Sequence, residues 1–435
     1  MRRALLLGLA AFTCGCQLAV GPVGSWSVAA SPPSAISTNS IAALPDGRIA
    51  LFGGVDLRSG TPLSRTQVFD PLRDLWTVGA PMPGPVQPDI VVALRDGMVL
   101  VADGRAPDFS GRVGDTWLYD ASRNSWAIAG RLQTPRNGPS SVLLTDGRVL
   151  VAGGSIQVSQ PDGTAVEQYV SGAEIFDPQT RSWSAAGNMN VPRSGAALVA
   201  LSHGSAVAAG GCVFNGGISD VGNRFALPIG DVELFDSTSR SWSITTPLPQ
   251  TRCGAVGVLL PDGRVFVTGG GSGVVGNSGL TTLRSAVIFN PESRQWAAAG
   301  TTLATRTSPV VLADGRVLIP DVETGRSNGN TFAMLVGGQI YDPRTGDWNY
   351  VTTTSIAVSS RFFDPVGFGS AFGAALPNGQ AVVLAVVATL TFHPDTAPAN
   401  AQPLDSPSLS MLLVALALVL ALLLGVLYLK GRRPA

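Results

Sequence analysis

Residues 260–300 read LPDGRVFVTGGGSGVVGNSGLTTLRSAVIFNPESRQWAAAG, and the organisation of the whole chain follows from this stretch. The turn Pro261-Asp262-Gly263-Arg264 lies between the apolar runs VGVLL and VFVTGG. Asp-Gly flanked by aliphatic and β-branched residues predicts a hairpin, because glycine takes positive φ without a Cβ penalty. Gly269 and Gly270 end the second strand, a third carries Phe289 ahead of the turn at Asn290-Pro291, and Trp296 opens a fourth. The stretch therefore predicts a four-stranded sheet whose second and third strands are separated by a polar gap, residues 271–285.

The same marks recur along the chain. The hairpin turn returns at Asp46-Gly47, Asp96-Gly97, Asp146-Gly147, His203-Gly204, Asp314-Gly315 and Asn378-Gly379. The third-strand aromatic returns as Phe69, Tyr119, Phe176, Phe235, Tyr341 and Phe392, and the fourth-strand tryptophan as Trp26, Trp76, Trp126, Trp183, Trp242 and Trp348. The tryptophans are offset from the other marks, since Trp26 precedes every hairpin and none follows the last one. A unit lacking its outer strand at one end and a spare outer strand at the other belong together. The segment around Trp26 is expected to complete the blade whose inner strands lie in 373–393, closing a ring with no unpaired junction.

Tryptophan spacings of 50 to 59 residues match a repeat period of about 50. With the PDGRVLVAGG-like strand pairs and the aromatic before Asp-Pro, residues 25–394 resemble bacterial kelch repeats of the galactose oxidase-like group. The resemblance implies an all-β, seven-bladed kelch-type propeller closed by its N-terminal strand. The Gly-Gly pair at the end of the second strand becomes Asp103-Gly104 in unit two and Pro320-Asp321 in unit six, and those two blades are expected to pack differently there.

The ends carry other signals. Residues 1–16 read as an export signal, with Arg2 and Arg3 before a short apolar run. Gly15-Cys16 is compatible with lipidation of Cys16, although Thr13 stands where an aliphatic residue is usual. Residues 395–408 read as a linker. Residues 409–429 form an uninterrupted apolar segment of the ~20 residues that cross a bilayer, followed by a basic tail, 430–435, that would stay cytoplasmic. This tail resembles the IPTL-type C-terminal sorting signals of Gram-negative bacteria. The expected location is a bacterial cell envelope or outer surface, membrane-anchored through the C-terminal helix.

The chain has a formal net charge of zero and a single lysine, Lys430, which excludes an electrostatic nucleic-acid binder. The two histidines, His203 and His393, both occupy turn positions. Galactose oxidases hold copper with His and Tyr ligands and a Tyr–Cys link; that ligand set is not found here, and no metal or cofactor is expected.

Propeller geometry puts the second-to-third-strand loops and the links between blades on one face. Here those loops are long and polar, at 155–172, 212–230, 271–285 and 322–337, as befits binding loops on a rigid frame. Arg136, Arg193, Arg252, Arg306 and Arg361 recur near the first strands and are expected to ring one mouth of the channel. They would either bind a carboxylate or sugar ligand or tie blades together by pairing with acids such as Glu174 and Glu233. Glu167, Asp220, Asp321 and Glu323 lie near the same face, but no spacing selects a catalytic pair. Cys212 and Cys253 fall at the same end of adjoining strands and are candidates for a disulfide, or else small buried hydrophobes.

The reading taken from these features is a surface-anchored, non-catalytic protein that binds a protein or glycan through its loop-rich face. The alternative is a carbohydrate-active enzyme, mutarotase- or glycosidase-like, using Arg and carboxylate residues at the channel mouth. Sialic-acid mutarotases, which are also kelch propellers, would share the Arg ring.

Overall fold

The computed structural model describes residues 24–30, 36–37, 40–56, 61–105, 112–161, 165–218, 224–273, 281–303, 307–324, 331–359, 372–376, 378–385 and 388–394. Within them lie seven four-stranded antiparallel sheets. Blade five, the stretch quoted first, comprises Val256–Leu259, Val265–Thr268, Ser285–Asn290 and Gln295–Thr301 in that order. The first strands of successive blades touch one another in a closed circuit, so they line the central channel.

Blade seven shows the closure. Its inner strands are Phe372–Ala375, Ala381–Ala385 and Ala388–His393, and its outer strand is Ser25–Ala29. The register places Trp26 opposite Phe392 and runs unbroken from Ser25 opposite His393 to Ala29 opposite Thr389. The ring is closed by strand exchange between the two ends of the repeat array.

The Asp-Gly turn is a tight turn followed by a glycine bulge. In blade five the Gly263 amide donates to the Leu260 carbonyl at 2.9 Å and the Leu260 amide to the Arg264 carbonyl at 2.8 Å. Only Gly263 has positive φ, at 84°; this is the three-residue hairpin in which glycine fills the left-handed position. Asp262 accepts from the Arg264 amide and from its guanidinium. Burial alone would raise the Asp262 carboxyl, but those hydrogen bonds and the Arg264 charge hold it below its ordinary 3.8. The same balance lowers Asp46, Asp146 and Asp314.

Carboxyls depressed on folding contribute stability that is full above their unfolded pKa, near 4, and is lost as pH falls through the lower folded values. Thermal melts are therefore expected to be flat from pH 7 to about 4.5 and to fall steeply below about 4. A melting temperature unchanged down to pH 2 would remove these turns from the stability of the ring.

Each third-strand aromatic lies directly across from its tryptophan, with ring centroids 4.9 to 5.2 Å apart in all seven blades. Six of these indole N–H groups donate to the preceding blade, at Ala30, Ala80, Thr116, Ala186, Thr246 and Ala299. Trp26 is the exception, its Nε1 buried without an acceptor. Trp76, Trp183 and Trp242 are buried, whereas Trp296 is half-buried.

The expectation of a propeller plus a membrane helix is corrected to an all-β propeller. Among the described residues no helix is long and apolar enough to cross a membrane, and the one helical element is the single 3-10 turn Ser202–Gly204. The span expected over 409–429 lies outside the described residues, as do the export signal and Cys16. Membrane anchoring, the membrane as partner and the envelope location built on them are therefore not carried forward.

Candidate functional site

On the loop face, the residues after the second strand decide what each blade builds above the ring. Gly153 and Gly154 have φ of 68° and 93°, which break the strand and let residues Ser155–Ser159 and Ala165–Tyr169 rise as a separate two-stranded arm. Gly210-Gly211 and Gly269-Gly270 do the same below the arms Cys212–Ile218 with Arg224–Pro228, and Gly271–Ser272 with Thr281–Thr282. Where the pair is Asp103-Gly104 or Pro320-Asp321 the strand does not break: Met98–Arg105 and Val317–Thr324 each run through as one strand. A Cβ on Gly153 would lie 2.2 Å from the Arg193 carbonyl, so no other residue fits this close approach between blades.

Three of the expected arginines sit beneath these arms as clamps. Arg136 is 2 % exposed, and its Nη1 donates to the carbonyls of Gly153 and Gly172, the two sides of the arm's neck. Arg193 does the same to Gly210 and Asp231, and Arg252 to Gly269 and Ser285. Arg136 and Arg193 are each paired with a buried carboxylate, Glu174 at 2.5 Å and Glu233 at 2.6 Å. Those carboxylates also accept backbone amides of the incoming link, at Gln133 and Thr134 and at Asn190 and Val191. With 1–2 % of each side chain exposed, these three guanidiniums face the frame and not the solvent. Arg306 and Arg361 lie outside the described residues.

The clamps are coupled through the backbone. The Gly154 amide donates to the Arg193 carbonyl and the Gly211 amide to the Arg252 carbonyl, so each arginine holds its own arm and caps the neck before it. Cys212 and Cys253 are joined by a disulfide with Cα atoms 5.0 Å apart, linking the root of the blade-four arm to the residue after Arg252.

At the root of the blade-three arm, polar side chains are held against one another at the surface. Ser155, 2 % exposed, bridges by its backbone to Asn137 at the start of the first strand. Its hydroxyl donates to Glu167 Oε1 at 2.5 Å. Glu167 and Tyr169 are alternate residues of one arm strand and share a face; both are half-buried. Burial, and then the Glu167 charge, push the Tyr169 phenol above its ordinary 10. On the inner side, exposed Asp89 of blade two accepts the Gly138 amide at 3.3 Å. Glu167 is one of the carboxylates named from sequence; Ser155 and Tyr169 were missed, because only the pairing within the arm puts Ser155 opposite Tyr169 and within reach of Glu167. Asp220 lies outside the described residues.

The two histidines lie away from the loop face. His203 sits in the hairpin turn of blade four, and His393 contacts Ser27 and Gln380 near the turn of blade seven, both on the opposite face. Among the described residues no group of three His, Cys, Asp or Glu side chains could hold a metal ion.

Residues 136–190 match the family model described as the kelch motif. No curated protein matches the chain. Among solved structures, a fungal alcohol oxidase of the AA5 family in complex with copper superposes with a TM-score of 0.56 at 16% identity, over 86% of this chain and 76% of that one. The structure of YjhT gives a TM-score of 0.45 at 16% identity, over 59% of this chain and 82% of that one. At 16% identity the likeness shows the propeller frame alone; since the alcohol oxidase built on that frame is a catalyst, the expectation of a non-catalytic binding or scaffold protein is not carried forward. The copper chemistry of the oxidase is not transferred with the frame, since the histidines here stand at the wrong face.

Proposed function

We propose that this kelch-motif-bearing, seven-bladed propeller is a carbohydrate-active enzyme that transfers protons on a sugar at its loop face. Glu167 is the base and Tyr169 the acid. The observation that carries this reading is the Glu167 carboxylate, half-buried and fixed by the hydroxyl of buried Ser155. A proton-transfer group held by a rigid neighbour enters the reaction without reorganising.

The chemistry that suits this pair is interconversion of the anomers of a free sugar. Glu167 takes the proton of the anomeric hydroxyl as the bond from C1 to the ring oxygen breaks, and the Tyr169 phenol gives its proton to that oxygen. The open-chain carbonyl turns about the C1–C2 bond and recloses with both transfers reversed, so nothing is oxidised and no group is lost. The Tyr169 phenol, held above its ordinary 10, is protonated at neutral pH and carries the proton that the ring oxygen takes up. Glycoside hydrolysis would need two carboxylates at a set separation, whereas this reaction needs one carboxylate and one acid, both present on one strand. The buried arginines serve it by holding the arms and not by contacting the sugar.

The test is equilibration of freshly dissolved single anomers, from neutral hexoses, amino sugars and a sialic acid, followed by proton NMR. The full chain is expected to accelerate at least one, and Glu167→Gln to lower that rate about 100-fold with the melting temperature unchanged. Equal rates with and without the protein across the panel, or a fully active Glu167→Gln, would reject the reading.

A further inference from the structure

The neck of the blade-five arm departs from the pattern of blades three and four. There the clamping arginine is neutralised by a glutamate two residues before the third-strand aromatic, Glu174 before Phe176 and Glu233 before Phe235. In blade five that position is Val287, 6 % exposed, and no carboxylate among the described residues reaches Arg252. Its Nη2 turns to the Ser285 hydroxyl at 2.7 Å, and its Nε is buried with no acceptor. Of the three clamped necks described, that of blade five lacks the ion pair, and the residue after its arginine, Cys253, is joined by a disulfide to Cys212, which follows the Gly-Gly break of blade four, where the Arg193–Glu233 pair is kept.

We propose that the Cys212–Cys253 bond is a redox-controlled latch that holds the arms of blades four and five in place, substituting for the missing carboxylate. Cys253 is half-exposed at the channel mouth while Cys212 is 7 % exposed, so a thiol reaches Cys253 first. A low-molecular-weight thiol attacks Cys253 Sγ as its thiolate; the Cys212 sulfur leaves with the bonding electron pair and takes up a proton. A second thiolate then displaces Cys253 from the mixed disulfide. The protein gains two thiols and the reductant becomes its disulfide. In the reduced state the blade-five neck is held by neutral acceptors alone, and the blade-four neck loses its covalent tie, while the blade-three arm keeps its Arg136–Glu174 pair.

Amide hydrogen exchange on the full chain, oxidised against dithiothreitol-treated, tests this directly. The neck amides of Gly211, Ile229 and Leu283 are expected to exchange at least about ten-fold faster after reduction, by opening of a low-stability local unit. The Val170 amide, which closes the blade-three neck on Gly154, is expected to be unchanged, and the melt to remain cooperative. Val287→Glu supplies the carboxylate and is expected to restore slow exchange at Leu283 in the reduced protein. The latch is overturned if exchange at these amides is the same in both redox states, if reduction speeds exchange throughout the ring, or if a folded Val287→Glu leaves the reduced protein as open as before.

Discussion

A chain beginning at Ala30, from which the Ser25–Ala29 strand has been removed, is expected to show no cooperative thermal transition. This strand is the whole outer edge of blade seven, and all five of its residues are in register with Thr389–His393. Its tryptophan stacks on Phe392, 5.1 Å between centroids, in a cluster that also contains Leu318, Val336 and Ile340 of blade six. The strand therefore seals the junction between two blades as well as completing one. Losing a buried tryptophan alone costs about 3–5 kcal/mol, and the unpaired backbone of Ala388–His393 adds to it, against a total stability of about 5–15 kcal/mol for a typical domain. Circular dichroism and urea melts of the shortened chain read the result. Transplanting residues 24–30 behind a short turn after Pro394, the connection that the other six blades use between third and fourth strands, is expected to restore the transition. A shortened chain that melts like the full one would show that the ring does not depend on this closure.

The closure was legible because it is written in a count: seven hairpin turns, seven aromatics and seven tryptophans out of step by one place. Burial and pairing then follow from the repeat, as Phe69, Phe176, Phe235 and Phe289 show by falling opposite their tryptophans. The corner at Asp103-Gly104 and Pro320-Asp321 was legible as a departure. Its consequence, a continuous strand in place of a raised arm, was not, since it depends on two consecutive positive φ values and on the nearness of a neighbouring blade's carbonyl. The arginines were legible as a series with two uses. What the sequence did not show is where three of them point: the neck carbonyls of Gly153, Gly210 and Gly269 turn Arg136, Arg193 and Arg252 inward. Glu167 could be named from the sequence as one acid among several, but what distinguishes it is the hydroxyl of Ser155, twelve residues away and brought close by the arm. Local chemistry in this chain reads from the repeat, and the candidate site lies in an arm inserted between two strands of it.

Glu233→Ala is expected to destabilise the domain by about 3–5 kcal/mol, far more than its single side chain would suggest. Glu233 is fully buried and accepts at four points: the Arg193 guanidinium, the amides of Asn190 and Val191, and the Asn190 side chain. Burial pulls the Arg193 guanidinium below its ordinary value, and the charges of Glu233 and Asp231 oppose that pull. Without Glu233 a guanidinium 1 % exposed is left without its main counter-charge, and two backbone amides lose their acceptor, each a cost that solvent cannot repair. The double replacement Arg193→Met with Glu233→Leu removes the charge with its partner and is expected to recover the part of the loss that comes from the unpaired guanidinium, while the part that comes from the Asn190 and Val191 amides remains. Urea melts of the two variants separate the cases. Losses of equal size in single and double variants would assign the cost to the neck hydrogen bonds, and a loss under about 1 kcal/mol in the single variant would mean that the pair holds nothing. Arg252 is the natural comparison: burial lowers it without an opposing carboxylate. Val287→Ala should therefore cost only the packing of one small side chain, about 1–2 kcal/mol, and the contrast between positions 233 and 287 measures what the carboxylate contributes.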